Sequence, residues 1–171
     1  MKNRSFKERF FYFYSMKYKQ LSKEQFEALY AEFAQFLATQ QIDVEEWNVI
    51  KTEKPEVAEE ELNIFSDIVW EDVLNRTNYL EHFSQQSVNM FKCDDETIYR
   101  IVAQVNKKDF DFFKEDDYRW FINNTNHPTI EFFKGKKKYD KERNTELFDL
   151  IQKGSIISDG KLYEGLLKLI N

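Results

Sequence analysis

The sequence predicts an α+β domain: helices first, a small antiparallel sheet after them, and helices again at the end. Three observations carry this. Apolar residues recur at three- and four-residue steps through residues 55–84, the period of a helix with one face in a core. The period then drops to two, because Tyr99, Ile101, Ala103 and Val105 alternate with Arg100 and Gln104 as on a half-buried strand. Four Gly and two Pro in 171 residues are too few for a loop-rich all-β fold.

Taken in order, residues 1–15 differ in character from the rest of the chain. Lys2, Arg4, Lys7 and Arg9 precede an aromatic run, Phe10 to Tyr14. The run is too short and too aromatic for a secretory h-region, and no small-residue cleavage motif succeeds it. It reads as an N-terminal extension, poorly ordered or lying as an interfacial anchor, with Met16 as an alternative start. Residues 16–171 read as a single α+β domain. Ser22 with Gln25 forms a capping-box pattern. Phe26, Leu29, Tyr30, Phe33, Phe36 and Leu37 then repeat at helical spacing, so a helix is expected over 22–40 with this aromatic stripe in the core. Asp43 can cap a shorter helix carrying Val44, Trp47 and Ile50, which ends before Pro55.

The longest periodic stretch runs from Pro55 to Ser84. Ala58, Leu62, Phe65, Val69, Val73 and Leu80 keep the step, Arg76 fills a missed one, and Val57, Ile64, Ile68 and Leu74 widen the stripe. Pro55 suits a first turn and Glu56, Glu59, Glu60 and Glu61 suit the positive end of a helix dipole. A helix of about 25 residues would be about 38 Å long, enough to act as the spine. After it, Ser87–Lys92 and Thr97–Val105 flank the polar turn Cys93–Glu96 and read as a hairpin across 87–106. Phe112, Phe113, Trp120 and Phe121 then seal the sheet edge or a helix packed on it. Asn123–Asn126 is a loop, and Thr129–Phe133 is a third strand. Asn144 can cap a helix from Thr145 to Lys153 closed by Gly154. Asp159 starts a final helix with Leu162, Leu166, Leu169 and Ile170.

Several stretches together resemble an uncharacterised family of small bacteroidete proteins. They are M-K-Y-K-Q-L-S-K-E-Q-F from Met16, F-L-A-T-Q-Q-I-D-V-E-E-W, K-P-E-V-A-E-E-E-L and F-S-D-I-V-W-E-D-V-L. The similarity covers residues 16–90 well and the remainder loosely, and family members begin at the position of Met16. The resemblance implies a cytoplasmic bacterial protein of unknown function. It carries no activity, cofactor or catalytic residue onto this chain.

The net charge of −6 is strongly blocked. Residues 43–72 hold eleven acids against Lys51 and Lys54, a balance of −9, whereas residues 134–143 come to +4. The acidic helical face, with Glu59, Glu60, Asp67 and Glu71, suits a basic partner or the chain's own termini, or is simply solvated. The run F-F-K-G-K-K-K-Y-D-K-E-R supplies Lys134, Lys136, Lys137, Lys138, Tyr139, Lys141 and Arg143 for contact with nucleic acid or an acidic protein. Lysines leaving a strand also serve to keep a sheet edge soluble. The single Cys93 excludes an intramolecular disulfide and fits a reducing compartment. Its carboxylate neighbours make it a poor nucleophile. His82 and His127 sit in no metal-ligand spacing, and no phosphate-binding or nucleophile motif occurs. No cofactor or metal is expected, and no apolar run approaches the ~20 residues of a membrane helix. The protein is therefore read as a non-catalytic cytosolic interaction or adaptor module with a protein partner. An RNA-associated protein using the 134–143 lysines is the first alternative. A small enzyme using Asp67 and Glu71 is the second.

Overall fold

The computed structural model describes residues 15–170. The extension expected over 1–15, whether arm or interfacial anchor, lies outside the described residues except for Ser15. The chain divides into two compact units, the first ending at Asp72 and the second beginning at Val73. Helices at both ends and a five-stranded antiparallel sheet among the described residues make it an α+β protein.

The first unit is helical. Helix α1 spans Lys23–Ala28, and Ser22 caps it with the full capping box that its spacing with Gln25 predicts. The expected single helix over 22–40 is interrupted at Leu29 (φ −106°, ψ 27°), and α2 continues from Tyr30 to Thr39. Helix α3, Val44–Glu53, is capped by the Asp43 side chain, which accepts from the Glu46 N–H. Helix α4 begins at Pro55. Leu37, Ile42, Ile50 and Ala58 form the buried core here, with Phe33, Phe36, Trp47 and Val57 packed against it.

Helix α4 ends at Arg76, not at Ser84 as the apolar spacing suggests. Leu80 falls on the helical step by coincidence. Thr77 and Asn78 break the helix, and Tyr79–Phe83 becomes strand β1 because it pairs with the next strand in a five-residue ladder. Of the residues expected to widen the stripe, Ile68 is exposed, while Asp67, expected on the acidic face, is buried.

In the second unit the predicted hairpin is present as β2, Ser87–Cys93, and β3, Thr97–Val105. Cys93 is the buried last residue of β2 instead of part of the turn, and burial pushes its thiol up to about 12. Helix α5 spans Glu115–Asn123. The third strand, β4, is longer than expected. It runs from Ile130 to Lys138, so the lysine run is itself strand. Helix α6 spans Arg143–Gln152, and strand β5 is the two-residue pair Ile156–Ile157. Asn144 does not cap α6. It is buried inside the helix and donates through Nδ2 to Asn75 Oδ1 at 2.7 Å. Helix α7, Lys161–Leu169, comes after Gly160, whose φ is 76° and where an added Cβ would lie 2.5 Å from the Tyr79 ring, so no side chain fits.

The sheet order is β4-β3-β2-β1-β5, antiparallel throughout. One face carries Val88, Met90, Ile101, Ala103, Val105 and Ile130. Phe110, Phe112, Phe121, Tyr163 and Leu166 cover it, which makes the main core of this unit. Phe110, Phe112 and Phe121 meet edge to face at 4.9 and 5.0 Å between centroids. Thus Phe112 and Phe121 lie in the core, while Phe113 is exposed.

Candidate functional site

The lysine-rich residues divide by where the pleat points them. Lys137 lines a cleft of about 440 Å³ between the sheet and α6, with Phe91, Arg100, Gly135 and Leu150 among its walls. There Lys137 Nζ donates to Asp140 Oδ2 at 2.6 Å and to Glu146 Oε2 at 2.9 Å, and these bonds raise its pKa. Burial alone would raise the Glu146 carboxyl. Lys137 and the backbone N–H groups of Lys141 and Asp140 outweigh that and hold it below its ordinary value. Lys141 Nζ pairs with Asp149 at 3.0 Å. Tyr139 donates its hydroxyl to the Asp94 carbonyl at 3.0 Å. Among the described residues, Lys136 and Lys138 make no ion pair, and both are exposed.

Arg143 is committed inside the fold. Its guanidinium donates to the carbonyls of Leu74 (2.9 Å), Thr77 (2.6 Å), Cys93 (3.0 Å) and Asp94 (3.2 Å), and to Asn144 Oδ1 (3.0 Å). Leu74 and Thr77 are at the end of α4, where carbonyls lack intrahelical donors. A cation suits that negative end of the helix dipole. Of the seven residues grouped from the sequence, Arg143 and Tyr139 thus tie the hairpin turn into the fold. Lys134, Lys136 and Lys138 line the outer strand.

The acidic residues of α4 have an internal use. The segment Lys17–Leu21 lies along the helix. Asp67 accepts the backbone N–H groups of Lys17 and Tyr18 at 2.6 and 2.9 Å. Glu71 accepts the Tyr18 hydroxyl at 2.5 Å and pairs with Lys17 Nζ at 3.1 Å. Burial, then the bond to Glu71, raises the Tyr18 hydroxyl to about 12. Gln20 reaches Glu59 and Asn63, Leu21 N–H reaches Ser66, and Trp70 Nε1 donates to the Lys19 carbonyl. Asp67, Glu71 and Glu59 therefore hold the segment that leads into α1. Glu60 is half-buried.

The first unit holds a second feature, one that the aromatic period concealed. The stripe expected to be core is only partly covered. Tyr30 is 70% exposed and Val44 69%. Between α1, α2 and α3 lies a groove of about 810 Å³ lined by Phe26, Tyr30, Phe33, Ala34, Val44 and Trp47, among others. Its polar rim is sparse and balanced in charge: Lys23 and Lys51 against Glu27 and Asp43, with Asn48. Taken as a whole the described part of this unit is acidic, with fourteen acids against five lysines between residues 15 and 72, a balance of −9. The second unit, Val73–Asn171, has sixteen of each sign and is neutral. The signal available in the sequence was excess. Alternating Ala and aromatic residues on one short helix offer more apolar surface than the helices of this unit bury.

Among the described residues, no group of three or more His, Cys, Asp or Glu side chains could hold a metal ion, and no helix is long and apolar enough to cross a membrane. Residues 16–171 match the family described as "Family of unknown function (DUF6495)". No curated protein and no solved structure matches the chain. The chain belongs to this family, and the match starts at Met16, as the sequence resemblance implies, and extends through the sheet and the closing helices.

Proposed function

We propose that this DUF6495 member is a non-catalytic, cytosolic protein-interaction module whose first unit receives a basic amphipathic helix from a partner. One observation carries the reading. An apolar groove of about 810 Å³ coincides with the unit that holds all of the excess acidic charge of the described chain. A helix laid in such a groove presents apolar anchors at i, i+3, i+4 and i+7. Its basic flank then meets Glu27 and Asp43 on the rim, on a unit whose net charge is acidic. Net acidic charge on the unit that carries the trough speeds encounter with a basic partner and disfavours acidic competitors. Phe26, Phe33 and Trp47 supply the aromatic surface that dominates contact energy at such sites. The lone cysteine, buried in the second unit, fits a reducing compartment.

The enzyme alternative needs accessible carboxylates at Asp67 and Glu71, and both are engaged by Lys17 and Tyr18. The adaptor reading needs no such site. It is tested with an 18-residue peptide carrying Leu at i, i+3, i+4 and i+7 and Lys on the remaining positions. Titration of the chain should saturate. Substituting Ala34→Arg, on the exposed lining of the groove, should weaken binding about tenfold or more by filling the trough with a like charge. Equal binding by the wild-type chain and the Ala34→Arg variant would refute the site.

A further inference from the structure

The backbone parity of the sheet singles out its β4 edge. The Val105 N–H donates to the Gln86 carbonyl, on the β2 side of β3. Successive residues of a strand turn their N–H and C=O groups to opposite edges, so the even-numbered residues of β3 face β4. The Asn106 N–H, donating to Thr129, obeys the same parity. In the β3–β4 ladder Val102 lies opposite Phe133, Arg100 opposite Gly135 and Ile98 opposite Lys137. Those β4 residues spend their backbone groups on β3. Phe132, Lys134, Lys136 and Lys138 turn theirs outward, and β4 is the last strand of the sheet among the described residues.

The ladder is regular from Ile130 to Lys138, with no bulge, and every residue from 133 to 138 is exposed. The strand contains no proline. The outward backbone groups of residues 134, 136 and 138 thus belong to the lysines whose side chains share one face of the sheet. An edge of this kind is a template for one more strand. Its charge selects which strand. Two copies of the lysine run repel each other, so the edge does not pair with itself. An acidic segment meets a cation at every second position.

We infer that the β4 edge is a strand-addition site for an extended acidic segment of another protein, laid antiparallel along Phe132–Lys138. Main-chain hydrogen bonds give the affinity, and carboxylates at every second residue give the specificity. This surface and its partner are separate from the helical groove of the first unit.

The test uses the full chain and a ten-residue peptide of alternating Glu and Thr. In an antiparallel addition, the residues facing Lys134, Lys136 and Lys138 are the Glu residues, and their own N–H groups point at β4. N-methylation of the Glu residues should therefore abolish binding, whereas N-methylation of the Thr residues should leave it intact. Amide exchange at Lys136 and Lys138 should slow about tenfold or more on binding, with Phe133, Gly135 and Lys137 unchanged. The double variant Lys136→Glu/Lys138→Glu should weaken the peptide about tenfold or more while leaving the Leu/Lys helix peptide unaffected. Retention of binding by both N-methylated peptides would reduce the contact to charge alone and overturn the inference. So would a uridine decamer that binds more tightly than the acidic peptide at equal salt.

Discussion

A guanidinium with five acceptors fixes more of this fold than any lysine beside it. Arg143 satisfies carbonyls from the end of α4 and from the β2–β3 turn at once. Its removal strands several part-buried acceptors, each costing about 1–3 kcal/mol. Arg143→Ala should lower stability by about 3 kcal/mol or more in urea unfolding, and Arg143→Lys should not restore it, because an ammonium cannot match the planar fork. Glu146 makes a second residue-scale prediction. Its carboxyl is held low in the folded chain by Lys137 and two backbone N–H groups. Its contribution is therefore fully present above the unfolded value of about 4.3 and is lost as pH falls through the lower folded value. Lys137 is half-exposed, which discounts the ion pair itself. Glu146→Gln should cost about 1–2 kcal/mol at pH 7. The gap between variant and wild type should close below about pH 4. A gap independent of pH would contradict this assignment.

At the scale of elements, most of the fold is legible in the sequence because the local signals agree with the tertiary packing. The Ser22 and Asp43 caps, Pro55 as a start and the alternation across β3 all hold. The failures share one cause: pairing across the sheet overrides local period. Tyr79–Phe83 continues a helical spacing but is claimed by β2, and the lysine run is claimed by β3. The role of Arg143 was not legible, since nothing in its neighbours names the carbonyls of residues 74 and 77 as its partners. The groove was not legible either, because an exposed aromatic stripe and a buried one have the same period. The Lys17–Leu21 segment supplies the element-scale prediction. Asp67→Ala removes the acceptor for two backbone N–H groups, a loss of about 2 kcal/mol. Trypsin should then cut after Lys17 or Lys19 about tenfold faster than in wild type, with the far-UV spectrum of the helices unchanged. Equal cutting rates would show that Asp67 does not hold the segment.

For the whole molecule, charge and apolar surface are distributed unequally between the two units. The first combines a balance of −9 between residues 15 and 72 with an open apolar groove, and the second is neutral with a basic outer strand. The two proposed contacts thus put a basic helix on one unit and an acidic strand on the other. Both contacts should weaken with salt, since the screening length falls to about 8 Å at physiological ionic strength. The groove, on which the proposed function rests, is tested most directly by amide-resonance titration of the full chain with the Leu/Lys helix peptide and with its Leu/Glu counterpart. Saturable shifts concentrated at Phe26, Tyr30, Ala34, Val44 and Trp47 are predicted with the basic peptide, and binding about tenfold weaker or more with the acidic one. Equal affinity for the two peptides, or shifts confined to residues 73–170, would contradict it.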